Sequence, residues 1–108
     1  MTLFDSHCHL QADAFDTDRE AVIERARAAG VERMVVIGWD VASSRAAIEL
    51  AAKHSGIFAA VGIAPHDESP FTDDTLRALR DLAQHPKVVA IGECGLDYHY
   101  DTQPREDQ

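Results

Sequence analysis

The sequence predicts an α/β fold in which parallel strands alternate with amphipathic helices. Three runs rich in valine, isoleucine and alanine follow a shorter apolar run at the amino terminus, and segments with helical periodicity separate these four runs. Continuous apolar strands that alternate with helices are typical of a parallel sheet. All four predicted strands end in polar clusters, and active sites gather at that end of the strands in barrels and open sheets alike.

The first half of the chain contains two strand–helix units. In order, the segments are TLFD (2–5), AVIERARAAG (21–30), ERMVVIG (32–38) and a helix over about 41–54. Thr17 and Glu20 have the spacing of a capping box before the first helix, and Gly30 is placed to end it. Asp40 is expected to cap the second helix.

The second half repeats the pattern. It contains the strand IFAAVGI (57–63), a helix that Thr72 opens and Pro86 ends, and the strand KVVAIGE (87–93). Three leucines of that helix form an expected core stripe: Leu76, Leu79 and Leu82. Pro104 suits the first position of a fourth helix, of which residues 104–108 would be the opening turn.

Composition limits the possible functions. Nineteen acidic residues against ten basic ones give a net charge of −9, and no cluster of lysine or arginine favours broad binding to a nucleic-acid backbone. Bound cations could still reverse the local field for a phosphate-bearing substrate. Cys8 and Cys94 are expected to be half-buried thiols in a reducing compartment. With no membrane-spanning apolar run and no secretion signal, the expected location is cytoplasmic.

The stretch DSHCHL (5–10) suggests a metal site. In an extended segment Asp5, His7 and His9 point to one side, because side chains alternate between the two faces. Two imidazoles and a carboxylate at the mouth of a parallel sheet suit a divalent ion. We expect the two histidines to be ligands and Asp5 to be an outer or marginal contact of the same cluster.

Glu93 strengthens this interpretation. It ends an otherwise apolar strand, where an ionised carboxylate is costly to bury unless a cation or a donor compensates it. Gly92 and Gly95 flank it closely, and we expect them to let another group approach the backbone.

Two of these motifs together carry a family resemblance. DSHCHL (5–10) and AIGECGLDYHYD (90–101), which leads into PRE (104–106), resemble the TatD family of metal-dependent deoxyribonucleases, and GIAPHD (62–67) lies within the same likeness. The resemblance implies a TIM-like (β/α) barrel whose mouth binds two divalent ions (Mg, Mn or Zn) and hydrolyses phosphodiester bonds in DNA. By this resemblance His7, His9 and Glu93 match metal-ligand positions, with Glu93 shared between the two ions.

The chain also departs from the family pattern. Ala64 stands where the third-strand motif often has a histidine, and the family's remaining ligands, two histidines and an aspartate on later strands, have no counterpart here. A complete barrel needs about 250 residues. We therefore expect residues 1–108 to be the amino-terminal half of the barrel, with four strands and three helices, and to be nearly inactive alone. His66, Asp97 and His99 join Asp5 as candidate outer or substrate contacts.

Two alternatives stay open. Amidohydrolases of the phosphotriesterase type also place an H-x-H pair after strand one, but they carry a carbamylated lysine where Glu93 stands. The chain could instead be an inactive half-barrel that self-associates through its open edge. The native metal, DNA against another phosphoester, and endo- against exonucleolytic cleavage are not determined by the sequence.

Overall fold

The computed structural model describes every residue from Met1 to Gln108 and contains four strands and three α-helices. In chain order the elements are β1 (Leu3–Cys8), a short 3-10 helix (Asp13–Phe15), α1 (Arg19–Ala28), β2 (Val31–Ile37), α2 (Val41–Lys53), β3 (Ile57–Val61), α3 (Asp73–Leu82) and β4 (Val88–Ile91). The prediction of alternating strands and helices is confirmed.

The four strands form one parallel sheet in the order β1-β2-β3-β4. Each strand pairs with its neighbour in sequence, as is usual where short connections return the chain to the adjacent position. The polar segments that follow the strands therefore all lie at the same end of the sheet, where the carboxyl ends of the strands meet.

The core lies between the helices and one face of the sheet. Its largest cluster joins α1 and α2 to the three first strands and contains Leu10, Ile23, Met34, Val36, Ala47, Ile48, Leu50, Ala51, Ile57, Ala59 and Val61. The opposite face carries a smaller cluster made by Val35, Ile37 and Ala60, with Phe58 packed against it. The helices cover one side of the sheet, as expected for consecutive βαβ units.

The helix ends agree with the sequence in two cases of three. The capping boxes of α2 (Asp40 with Ser43) and α3 (Thr72 with Thr75) are formed. The box predicted between Thr17 and Glu20 is wrong, because α1 begins at Arg19 after an uncapped residue. The Glu20 carboxylate instead lies 3.1 Å from Nε2 of His54, the residue that follows α2.

Two expectations about the second half have different outcomes. The leucine stripe of α3 is only partly core, since no residue of this helix is buried, although Leu82 packs against the main core cluster and α3 packs beside α2. Residues 104–108 make the single turn expected at the start of a fourth helix, closed by the Asp107 and Gln108 N–H groups on the Pro104 carbonyl, and no longer helix forms within them. One turn fixes several backbone angles for very few hydrogen bonds.

Apolar side chains remain exposed on both edge strands. On β1 these are Leu3 and Phe4, and on β4 they are Val89 and Ile91. Such edges are available for pairing with another strand, and self-association through them stays a prediction. None of the three helices has both the length and the apolar character required to cross a membrane.

Candidate metal centre

β1 brings the two histidines to the same side of the sheet. It runs on to Cys8, beyond the predicted TLFD, so His7 is in the strand and His9 follows directly. The side chains alternate as expected: Cys8 and Leu10 pack in the helix-side core, and Nε2 of His7 lies 3.3 Å from Nε2 of His9. The strand thus presents two imidazole nitrogens together.

Glu93 reaches these histidines because the chain crosses the end of the sheet after β4. The Gly92 N–H donates to the Val61 carbonyl (2.9 Å), and the Glu93 N–H donates to the Gly38 carbonyl at the end of β2 (2.8 Å). This path carries Glu93 past β3 towards β1. Its Oε2 lies 3.8 Å from Nε2 of His7 and 3.9 Å from Nε2 of His9.

The crossing requires a glycine below it, at position 62. A Cβ built on Gly62 would lie 2.6 Å from the Gly92 carbonyl carbon and 2.7 Å from the Glu93 backbone carbonyl oxygen. Gly92 and Gly95 have open space beside them, since a Cβ on either would meet nothing within 4 Å, and the expectation that they let another group approach stays a prediction. Gly95 has a different requirement, since its φ of 149° is one that other residues rarely adopt.

The three side chains form a compact donor set. One ligand atom from each of His7, His9 and Glu93 lies within 4.8 Å of the others. Their side chains are 55 %, 37 % and 33 % exposed, so an ion can reach them from solvent. Two imidazoles and one carboxylate fit zinc or manganese, and three protein ligands leave coordination positions open for water or substrate. The chemistry of the donor set therefore fits a divalent metal.

His9 is oriented by the backbone of β2. Its Nδ1 lies 2.9 Å from the Ile37 carbonyl, an acceptor that requires the proton to be on Nδ1. The lone pair is then on Nε2, the nitrogen that faces His7 and Glu93. Such a contact to a carbonyl commonly fixes the tautomer of a metal-binding histidine. The ring of Trp39 packs edge-on against His9, with centroids 5.3 Å apart.

Cys8 is not suited to be a ligand. Burial, together with a smaller contribution from the nearby Asp5 carboxylate, raises the pKa of its thiol to about 11. The thiol therefore stays protonated at neutral pH, and its Sγ lies 3.4 Å from the Val35 carbonyl, which accepts from it. Thiolate is the form that binds metals.

The remaining candidates lie outside the cluster. Asp5 accepts the backbone N–H of His7 (3.0 Å), so it contacts a residue of the donor set without offering an atom to that set. Asp97 closes the loop after β4 by accepting the N–H groups of His99 and Tyr100. His66 is exposed, and its carbonyl accepts from the Thr102 hydroxyl. No hydrogen bond joins His66, Asp97 or His99 to the three donor residues, and their role as substrate contacts stays a prediction.

A cleft of about 670 Å³ opens between the loop after β3 and the carboxyl-terminal segment. Cys94, the residue after Glu93, belongs to its lining, but none of the three donor residues does. Ligand sites commonly have volumes of about 300–1,000 Å³. The cleft is thus large enough for part of a small ligand, and it adjoins the donor set only through the chain between Glu93 and Cys94.

The comparison with known proteins agrees with this geometry. Residues 4–108 match the model of the family described as TatD related DNase. The metal-dependent hydrolase YabD of Bacillus subtilis is 48 % identical over 106 residues, which cover 98 % of this chain and 42 % of YabD. The protein named 3'-5' ssDNA/RNA exonuclease TatD of Musicola paradisiaca is 45 % identical over 98 residues, which cover 90 % of this chain and 37 % of that protein.

A solved structure shows the same arrangement of strands and helices. The structure of YJJV, a TatD homologue from Escherichia coli K12, matches with a TM-score of 0.83 at 33 % identity and covers 92 % of this chain and 39 % of that one. The α/β fold of TIM-barrel type expected from the sequence is thereby confirmed. The chain spans about two-fifths of the length of these relatives.

Proposed function

Because the chain belongs to the TatD-related DNase family, we propose that it carries part of the metal centre of a hydrolase that cleaves phosphodiester bonds in nucleic acid. The observation that supports this most directly is the convergence of His7, His9 and Glu93 within 4.8 Å at the carboxyl ends of the strands. Glu93 is far from the two histidines in sequence, and only the crossing of the chain after β4 makes it their neighbour.

The three side chains have distinct tasks in this proposal. His7 and His9 offer Nε2 to one divalent ion, and the Ile37 carbonyl keeps the proton of His9 on the other nitrogen. Glu93 offers a carboxylate, whose two oxygens allow it to serve a second ion as well. When bound, zinc, manganese or magnesium supplies Lewis-acid stabilisation of phosphoryl oxygens and lowers the pKa of water.

The charge of the chain makes such ions necessary for a phosphate substrate. At a net charge of −9 the protein repels a nucleic-acid backbone, and Asp67 and Asp107 line the cleft to which Cys94 belongs. Bound cations would reverse that local field. His66, Asp97 and His99 lie on the loops around this region and are proposed as substrate contacts. We also propose a cytoplasmic location, which the two unpaired cysteines favour.

Metal binding by the chain is the first test. Zn²⁺ titration in competition with a chromogenic chelator should reveal one site in the wild type. Glu93→Gln should lower its affinity more than about 100-fold, beyond what outer contacts of a metal site contribute. Glu106→Gln, at an exposed acidic position, is the matched control and should bind as the wild type. Equal affinity in all three proteins would refute the proposed ligand set.

Cleavage requires a second test, because this chain spans only part of its relatives. Residues 1–108 can replace the corresponding part of YabD in a chimera. With Mn²⁺ the chimera should shorten a labelled single-stranded oligonucleotide, and Glu93→Gln in the chimera should abolish this. A folded, metal-binding chimera that leaves oligonucleotides intact would refute the nuclease proposal. The 108-residue chain alone should cleave negligibly, since three ligands hold one ion and a second would share only Glu93.

A further inference from the structure

Gln11 has an unusual environment two residues after His9. Its side chain is buried, and its Nε2 donates to the Ile37 carbonyl (2.8 Å) and lies 3.5 Å from the Ser43 carbonyl. Both neighbours are acceptors, so the amide must present its NH₂ group to them. The amide oxygen is buried without any hydrogen-bond partner.

The carbonyl that Gln11 contacts is the one that orients His9. Ile37 O accepts both from Nε2 of Gln11 (2.8 Å) and from Nδ1 of His9 (2.9 Å). The next carbonyl along the chain, that of Gly38, accepts the N–H of Glu93. The end of β2 provides no ligand, yet two successive backbone carbonyls hold two ligand residues in place. We call Ile37 and Gly38 the β2 template.

A second side chain holds the same segment from the other side. The Arg19 guanidinium donates to the carbonyl of Leu10 (2.6 Å) and to that of Ala12 (3.0 Å), and it pairs with Asp16 (2.7 Å). Gln11 lies between these two carbonyls in sequence. The segment after His9 is therefore attached both to the β2 template and to the start of α1.

We propose that Gln11 is a positioning residue of the metal centre, which ties the segment carrying His9 to the β2 template so that Nε2 of His9 faces the ion site before an ion binds. This inference rests on the proposed metal site. It explains why an amide occupies a buried position at which its oxygen finds no donor. Such a group is costly to bury, and local conflicts of this kind are expected at functional sites.

The positioning role makes a prediction that a purely structural role does not. Gln11→Met keeps the length of the side chain and removes both the donors and the unpartnered oxygen. The two lost hydrogen bonds are offset by the loss of the buried oxygen that has no donor, so the unfolding midpoint in urea should stay close to that of the wild type. A structural role predicts the opposite, a loss of stability with an unchanged metal site.

The experiment uses the full chain and two readouts. Zn²⁺ affinity, measured by chelator competition, should fall about tenfold or more in Gln11→Met, as for other outer contacts of metal sites. In the metal-free protein, ¹⁵N NMR of the imidazoles should show one dominant His9 tautomer, protonated on Nδ1, in the wild type and a mixture in the variant. Gln84→Met makes the same change at an exposed position shortly after α3. It should alter neither the Zn²⁺ affinity nor the His9 tautomer.

The outcomes separate this inference from the proposed function. Unchanged Zn²⁺ affinity and an unchanged His9 tautomer in Gln11→Met would overturn the positioning role while leaving the metal site intact. If the wild type binds no Zn²⁺, the proposed function fails, and the NMR comparison still decides the role of Gln11. If Gln11→Met does not fold, Gln11→Asn replaces it, because its shorter amide cannot reach Ile37 and should give the same two changes.

Discussion

Replacing Gly62 by alanine should damage the metal centre without touching a ligand. The new Cβ would lie 2.6 Å from the Gly92 carbonyl carbon and 2.7 Å from the backbone carbonyl oxygen of Glu93. Non-bonded atoms of this kind normally stay about 3.5–4.0 Å apart. Relief requires the crossing chain to move by about 1 Å, because backbone atoms cannot rotate away as a side chain can. Overpacking of this kind costs about 1–3 kcal/mol of stability.

The movement should appear in metal affinity as well as in stability. The Glu93 side-chain Oε2 is 3.8 Å and 3.9 Å from the two imidazole nitrogens. A shift of about 1 Å in the backbone that carries this side chain spoils a shared coordination geometry. We expect Zn²⁺ affinity to fall at least about tenfold, which corresponds to about 1.4 kcal/mol. Chelator competition measures the affinity, and urea unfolding measures the stability.

Gly92→Ala is the matched control for this prediction. It makes the same chemical change on the crossing chain itself, yet its Cβ would meet nothing within 4 Å. It should therefore bind Zn²⁺ as the wild type does. If Gly62→Ala retained both the affinity and the stability of the wild type, the argument that position 62 sets the path of Glu93 would be refuted.

Two further predictions concern the thiols and a helix cap. Cys94 is exposed and should react with a disulfide reagent at pH 8, whereas Cys8, whose pKa is raised to about 11, should react only after unfolding; equal rates in the native protein would contradict this. That pKa lies above the ordinary value of 9.0, so the unfolded protein loses the Cys8 proton at a lower pH than the folded protein does. The contribution of Cys8 to the free energy of unfolding should therefore be full below about pH 9 and should disappear as the pH rises through about 11. Urea unfolding at a series of pH values measures this change. Asp40→Ala removes the side chain that accepts the Ser43 N–H and should lower the free energy of unfolding by about 1 kcal/mol. Asp40→Asn keeps an acceptor at this position and should preserve the stability of the wild type. Similar losses of stability in both variants would argue against the cap.

The sequence predicts the elements well because their signals are local. Apolar runs identify all four strands, and alternation along β1 correctly puts Cys8 on the opposite side from the histidines. Local signals do not describe how elements pack. The Thr17–Glu20 spacing matches a capping box, yet Glu20 contacts His54, which follows α2. The leucine periodicity of α3 shows its apolar side without showing how deeply it packs.

The site is predictable only in its side chains. His7, His9 and Glu93 are residue types with recognisable chemistry, whereas the β2 template acts through carbonyl groups that every residue possesses. Gly62 carries a weak signal, a glycine directly after an apolar strand, but the need for it arises from a chain segment thirty residues further on. Gln11 lies in the turn after β1, and nothing local indicates that its amide reaches β2.

The ligands come from the first and the last strand of the sheet, and this has a thermodynamic consequence. Four strands about 4.8 Å apart put the outer two roughly 14 Å from each other in a flat sheet, and here the crossing chain closes that distance. An ion bound by His7, His9 and Glu93 would fasten the two edges together only while all four strands are folded. At a free-ion concentration of 100 Kd such linkage adds about 2.7 kcal/mol to the stability of the native state. Occupancy of the site and cooperative folding of the whole sheet would then be a single equilibrium, so that chelation loosens the first strand and the last together.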